Sequence, residues 1–174
     1  MTLNLSNHYD EEYFDGGKGY HTYEDAEHFR LTAEELIRLF EPVSVLDVGC
    51  AKGYLVKAFR ELGIPAWGVD ISDYAINQAP EEVADYLFQY DITSGKKMTF
   101  PEVDLVISSD TMEHIPEKLV PTAIDFMRSC GDRIYIKVGT LQTPDWQHDE
   151  SHITMHRLDW WADKFPDVVW EESK

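Results

Sequence analysis

Apolar positions along the chain fall into short β-branched runs and stretches with helical spacing, and the two kinds alternate. Val43, Val45, Leu46 and Val48 form a run suited to a strand buried on both faces. Tyr54, Leu55, Ala58, Phe59 and Leu62 then recur at helical spacing, and Gly63 supplies a stop. Ala66 to Val69 read as a second strand ending in Asp70, and Ser72 as the N-cap of a short helix over 73–79 that Pro80 stops. The pattern predicts further strands at Asp85–Tyr90, Val103–Ser108, Arg133–Val138 and Val168–Trp170. It predicts helices at 24–40, 118–129 and Leu158–Phe165, and loops at Gly95–Pro101 and 139–156. In the first helix Ala26, Phe29, Ala33, Leu36, Ile37 and Phe40 share one face.

Alternating β and α elements with short connections predict an α/β fold: a Rossmann-like, doubly wound, mostly parallel sheet. The 174 residues suffice for one domain, 1–174, with an aromatic arm and helix over 1–41 and an α/β core over 42–174. Such sheets bind ligands outside the carboxyl ends of their strands. Asp47, Asp70, Asp91 and Asp110 all fall at predicted strand ends. Before the core, Tyr9, Tyr13, Phe14, Tyr20 and Tyr23 lie among Gly16, Gly17 and Gly19. Two readings of this arm stay open: rings packed on the domain, or a flap over a pocket.

Composition narrows the setting. The formal net charge is −18, which repels phosphate backbones, so no nucleic-acid partner is expected. No apolar run approaches the ~20 residues of a membrane span, and no secretory signal is visible. Cys50 and Cys130 suggest no disulfide framework, so the expected compartment is the cytoplasm.

The turn after the first strand carries the most specific chemistry. A dinucleotide site wants Gly-x-Gly-x-x-Gly, but the equivalent positions hold Gly49, Ala51 and Tyr54. The pattern present is Asp47-x-Gly49-x-x-x-Gly53. It resembles the first motif of the class I S-adenosylmethionine-dependent methyltransferases. That resemblance implies a cofactor site from Asp47, Gly49, Cys50, Gly53, Asp70, Ile71, Asp91, Ile92 and Ser108, with Asp70 accepting ribose hydroxyls. Members of that family usually add a final antiparallel strand for which no sequence is visible here. An unpaired sheet edge would then be open to a second copy.

After the fourth strand comes Ser108-Ser109-Asp110-Thr111-Met112-Glu113-His114-Ile115-Pro116, similar to the post-strand motif of small-molecule methyltransferases. The resemblance places Asp110, Glu113 and His114 near the transferred methyl. The long loop adds His148, Asp149, Glu150, His152 and His156. The histidines recur every four residues, but Pro144 and the Ser/Thr content argue for loop rather than helix. Asp149 to Thr154, followed by Trp160-Trp161, together with the run at 51 to 56, resembles bacterial methyltransferases of glycan and polysaccharide pathways. Asp110, Glu113, His114 and His152 are also similar to the divalent-metal site of small-RNA 2′-O-methyltransferases. Two carboxylates and two imidazoles suit Mg²⁺, Mn²⁺, Zn²⁺ or Fe²⁺ by ligand type. Two readings stand: a metal ion that acidifies a sugar diol, or His114 or His152 as a lone general base, with Asp110 beside them.

The expectation is a methyltransferase that uses S-adenosyl-L-methionine to O-methylate a small hydroxylated acceptor, such as a sugar. Its rivals are a nucleotide-dependent oxidoreductase and a non-catalytic module of the same fold, since fold alone does not fix function.

Overall fold

The computed structural model describes residues 8–19, 23–96, 98, 102–143 and 150–173. Tyr20, Pro144, His148 and Asp149 lie outside the described residues. The fold is α/β of the Rossmann-like class, and the chain divides into two compact units, 1–91 and 92–174.

The first unit opens with a short helix that the apolar pattern did not predict, α1 (Glu11–Asp15). Asp10 caps it by accepting the N–H of Tyr13, and Tyr13 and Phe14 are buried. Helix α2 (Glu27–Phe40) starts three residues later than its apolar spacing predicts and buries Ala33 and Leu36. Strand β1 (Val45–Val48) is buried along its whole length. Helix α3 (Tyr54–Glu61) buries Leu55, Val56, Ala58 and Phe59, and packs on α2, on β1 and on β2 (Ala66–Asp70). Ser72 caps α4 (Asp73–Asn77) by accepting the N–H of Ala75. The predicted third strand is split: a 3-10 turn (Ala84–Tyr86) precedes β3 (Leu87–Gln89). Strand β2 pairs in parallel with both neighbours, Val45 opposite Ala66 on β1 and Leu87 opposite Gly68 on β3.

The second unit carries β4 (Leu105–Ser109), β5 (Arg133–Val138) and β6 (Val169–Glu172). Strand β5 pairs in parallel with β4, Leu105 opposite Arg133, and with β6, Tyr135 opposite Val169. Between β4 and β5 come 3-10 turns at Met112–His114 and Glu117–Leu119, then α5 (Val120–Cys130), which buries Ile124 and Met127. Helix α6 (Leu158–Lys164) buries Trp161 and packs on β6. All strand pairs described within the two units are parallel; β1, β2, β4 and β5 are largely buried runs, whereas β3 and β6 are mostly exposed or half-buried. Among the described residues no helix is long and apolar enough to cross a membrane.

Candidate functional site

The glycine turn of the first unit is built from three residues in the left-handed region: Gly49 (φ 84°), Ala51 (φ 49°) and Gly53 (φ 79°). Gly53, the N-cap of α3, leaves no easy place for a side chain: its φ is left-handed and a Cβ there would lie 2.4 Å from Leu87 Cδ1. Ala51 pays for its conformation with a fixed partner: its N–H donates to Asp70 Oδ2 at 2.8 Å. The other oxygen, Asp70 Oδ1, accepts the N–H of Ser72 at 2.8 Å. One carboxylate at the end of β2 thus ties the turn after β1 to the turn after β2. The amides of Gly49 and Cys50 both donate to Val69 O, at 2.8 and 3.1 Å, which brings the turn down onto β2.

Electrostatics mark the same place. Asp47 is 3% exposed, and burial, with the nearby Asp70 charge second, pushes its carboxyl up to about 7. Burial also raises Asp70, against the lowering effect of the N–H bonds from Ser72, Ala51 and Ile71. Cys50, a buried free thiol, is pushed well up by burial and by both aspartates. Burial, with repulsion between the two carboxylates second for Asp47, thus favours the neutral forms of these groups. Asp91 lies two residues beyond the end of β3 and is half-buried, as is Ile71. Tyr90 N donates to Asp70 O at 2.7 Å, which holds that chain end against β2.

In the second unit the segment after β4 meets the loop before α6. Glu113, His114 and His152 each offer a ligand atom within 4.8 Å of the other two. Glu113 is 1% exposed, and its Oε1 accepts the N–H of Gly139 at 2.7 Å. His114 Nδ1 is 2.8 Å from Ser151 Oγ, and the His114 and His152 rings lie 4.7 Å apart, centre to centre. Backbone bonds hold the loop in place: Ile153 N and Thr154 N donate to Glu113 O at 3.0 and 2.9 Å, and Thr154 Oγ1 donates to Ile115 O at 2.6 Å. His156 meets Glu117 at 3.1 Å and stacks on Trp160. Residues 150–157 form a loop, and the described histidines do not share a helix.

Asp110 does not join this group. It follows β4 in the left-handed region (φ 50°), and its Oδ1 accepts a hydrogen bond from Ser173 Oγ. Ile92 is half-buried in the second unit, and Ser108 is buried within β4. The sequence reading missed Lys52, Asp15, Ser151 and Gly139. Only the position of Lys52 inside the glycine turn could have flagged it; the other three act through partners distant in sequence.

Comparisons with known proteins bear on the family and the fold. The sequence profile described as "Methyltransferase domain" matches residues 20–168. A ubiquinone biosynthesis O-methyltransferase of Paramagnetospirillum magneticum is 29% identical over 48% of this chain and 35% of its own. A ribosomal protein L11 methyltransferase of Lactobacillus johnsonii is 31% identical over 61% of this chain and 35% of its own. The chain spans about a third of the length of these curated relatives. The crystal structure of a SAM-dependent methyltransferase from Archaeoglobus fulgidus superposes with a TM-score of 0.64 at 21% identity, covering 80% of this chain and 70% of that one.

Proposed function

Because the chain belongs to the methyltransferase-domain family, we propose that it moves a methyl group from S-adenosyl-L-methionine to a hydroxyl of a small acceptor such as a sugar or glycan precursor. The observation that carries this reading is the Asp70 carboxylate. It fixes Ala51 in the glycine turn and Ser72 beyond β2, and a carboxylate has about four lone-pair positions, so capacity remains for a ribose hydroxyl. Asp47, Gly49, Cys50, Gly53, Ile71 and Asp91 would complete the cofactor site within the first unit. The cationic cofactor suits an acidic turn of this kind.

Transfer breaks the sulfonium–methyl bond and forms an oxygen–methyl bond, and the hydroxyl proton must leave. His114 and His152 are the groups that take it, with Glu113 beside them. A carboxylate and two imidazoles this close also fit a divalent cation by donor type. A metal ion bound by Glu113, His114 and His152 would supply Lewis acidity toward an acceptor hydroxyl. Asp110, engaged by Ser173, supports this segment from outside the group. The free thiols of Cys50 and Cys130 fit a reducing cytoplasm. A second copy pairing along a strand edge is the assembly this reading allows.

The test is a thermal-shift titration with S-adenosylhomocysteine, with and without Mg²⁺, Mn²⁺ or Zn²⁺, followed by a methyl-transfer screen over sugars. A tight ligand of the native state raises the melting temperature. NAD(H) binding in place of S-adenosylhomocysteine would overturn the cofactor. Loss of metal-dependent turnover in His152→Ala supports the metal, and full activity in chelator removes it.

A further inference from the structure

We infer that Lys52 and Asp15 are positioning residues of the cofactor site, and that they set its affinity by fastening the N-terminal arm onto the glycine turn. The inference rests on the cofactor reading above. Lys52 stands between Ala51 and Gly53, where a lysine would ordinarily reach into solvent or toward an anionic ligand. Instead its side chain is 8% exposed and its ammonium turns to the arm. It donates to Asp15 Oδ1 at 2.9 Å, to Asp15 Oδ2 at 2.7 Å and to Tyr23 O at 3.0 Å. A lysine has three N–H donors, and all three are spent here.

Asp15 joins the arm to the second turn as well. Its Oδ2 accepts the hydroxyl of Tyr74, on α4, at 2.8 Å. The hydrogen bond from Lys52 leads the causes that hold the Asp15 carboxyl below its usual range. At the other end of the arm, Tyr9 O accepts the hydroxyl of Ser72 at 2.5 Å. Ser72 N in turn donates to Asp70, which holds Ala51. The bonds therefore run in a circuit: Ala51 to Asp70, to Ser72, to Tyr9, along the arm to Asp15, and back to Lys52 beside Ala51. Tyr13 and Phe14 pack inside it with Ala51 and Ala75.

Both turns in that circuit are the ones that hold the adenosyl cofactor in the reading above. A ligand that tightens either turn must tighten the arm, and by linkage an arm that is fastened must favour the ligand. The arm is thus part of the binding apparatus, and the alternative of rings merely packed on the domain predicts no such coupling. The Lys52 ammonium, committed to Asp15 and Tyr23, does not bind the cofactor's carboxylate.

The experiment is calorimetric titration of S-adenosylhomocysteine into the wild type, Asp15→Asn and Tyr74→Phe, with tryptic cleavage after the exposed Lys18 followed in parallel. The expected result is an affinity loss of about tenfold for Asp15→Asn, a smaller one for Tyr74→Phe, and slower cleavage at Lys18 when wild type is saturated. If Asp15→Asn fails to fold, Tyr74→Phe and the wild-type cleavage rate decide. Wild type that binds S-adenosylhomocysteine with unchanged affinity in the variants and unchanged cleavage overturns the role of Lys52 and Asp15 and leaves the cofactor reading standing. Wild type that gives no binding heat overturns the cofactor reading, and this inference with it.

Discussion

Glu113 accepts the N–H of Gly139 across 26 residues of sequence, at 2.7 Å. The bond joins the turn after β4 to the end of β5, and it leaves no room for a side chain at residue 139. A Cβ on Gly139 would lie 2.6 Å from Glu113 Oε1. Gly139→Ala should therefore displace a buried carboxylate, at a cost of about 1–3 kcal/mol in stability. Chemical denaturation measures that cost. The same substitution should weaken binding of Mn²⁺ or Zn²⁺, and an unchanged ion affinity would separate Glu113 from the proposed ligand group.

Ser151 should govern which nitrogen of His114 does chemistry. Its hydroxyl lies 2.8 Å from His114 Nδ1, within a loop held by two backbone bonds to Glu113 O. A hydrogen bond at one ring nitrogen fixes the tautomer and the ring's orientation, and so the character of the other nitrogen. Ser151→Ala should leave the loop's backbone bonds in place and cost about 1 kcal/mol of stability. It should also change the tautomer ratio of His114 in nitrogen-15 NMR and lower turnover. Turnover that falls with an unaltered tautomer ratio would point to the loop as a whole instead.

Ser72 is a single hydroxyl with two tasks. It accepts the N–H of Ala75 at 2.9 Å as the cap of α4 and donates to Tyr9 O at 2.5 Å. Losing a serine cap costs about 0.5–2 kcal/mol. Ser72→Ala should reach the upper part of that range because the bond to Tyr9 goes with it, whereas Ser72→Thr should lose much less. Thermal melts of the two variants compare them directly.

What could be read from the sequence follows how far apart the interacting residues are. Ser72 was legible as a cap because its partner is three residues away, and β1, β2, β4 and β5 were legible because they are short apolar runs with clear stops. Glu113 and His114 were legible as neighbours in one motif, and His152 as a candidate by type. Helix α1 was not legible: it has five residues, opens with two acidic ones, and owes its form to the burial of Tyr13 and Phe14. Nor was the pairing of Lys52 with Asp15, since nothing local in either segment announces a partner 37 residues away. Asp110 was grouped with Glu113 by the resemblance, whereas its Oδ1 accepts from Ser173 and the group of close ligand atoms holds Glu113, His114 and His152.

The pH dependence of cofactor binding should trace Asp47. Burial, with the Asp70 charge second, raises its carboxyl from the ordinary 3.8 to about 7. The folded chain therefore keeps a proton on Asp47 that the unfolded chain has already lost. Between about pH 4 and pH 7 this contribution to stability falls as pH rises, and above the folded value it is gone. Asp47→Asn keeps the position neutral at every pH, so its melting temperature relative to wild type should climb from pH 4 to pH 7 and then level. Binding runs the opposite way. The positive charges of S-adenosylmethionine favour the ionised carboxylate, so below pH 7 binding must first remove the proton. Wild-type affinity should improve as pH rises toward 7, by up to about tenfold per pH unit, and flatten above it. Asp47→Asn should bind more weakly and lose the slope. Calorimetric titrations from pH 5.5 to 8.5 on both proteins measure this, and an equal slope in the variant would assign the proton to another group.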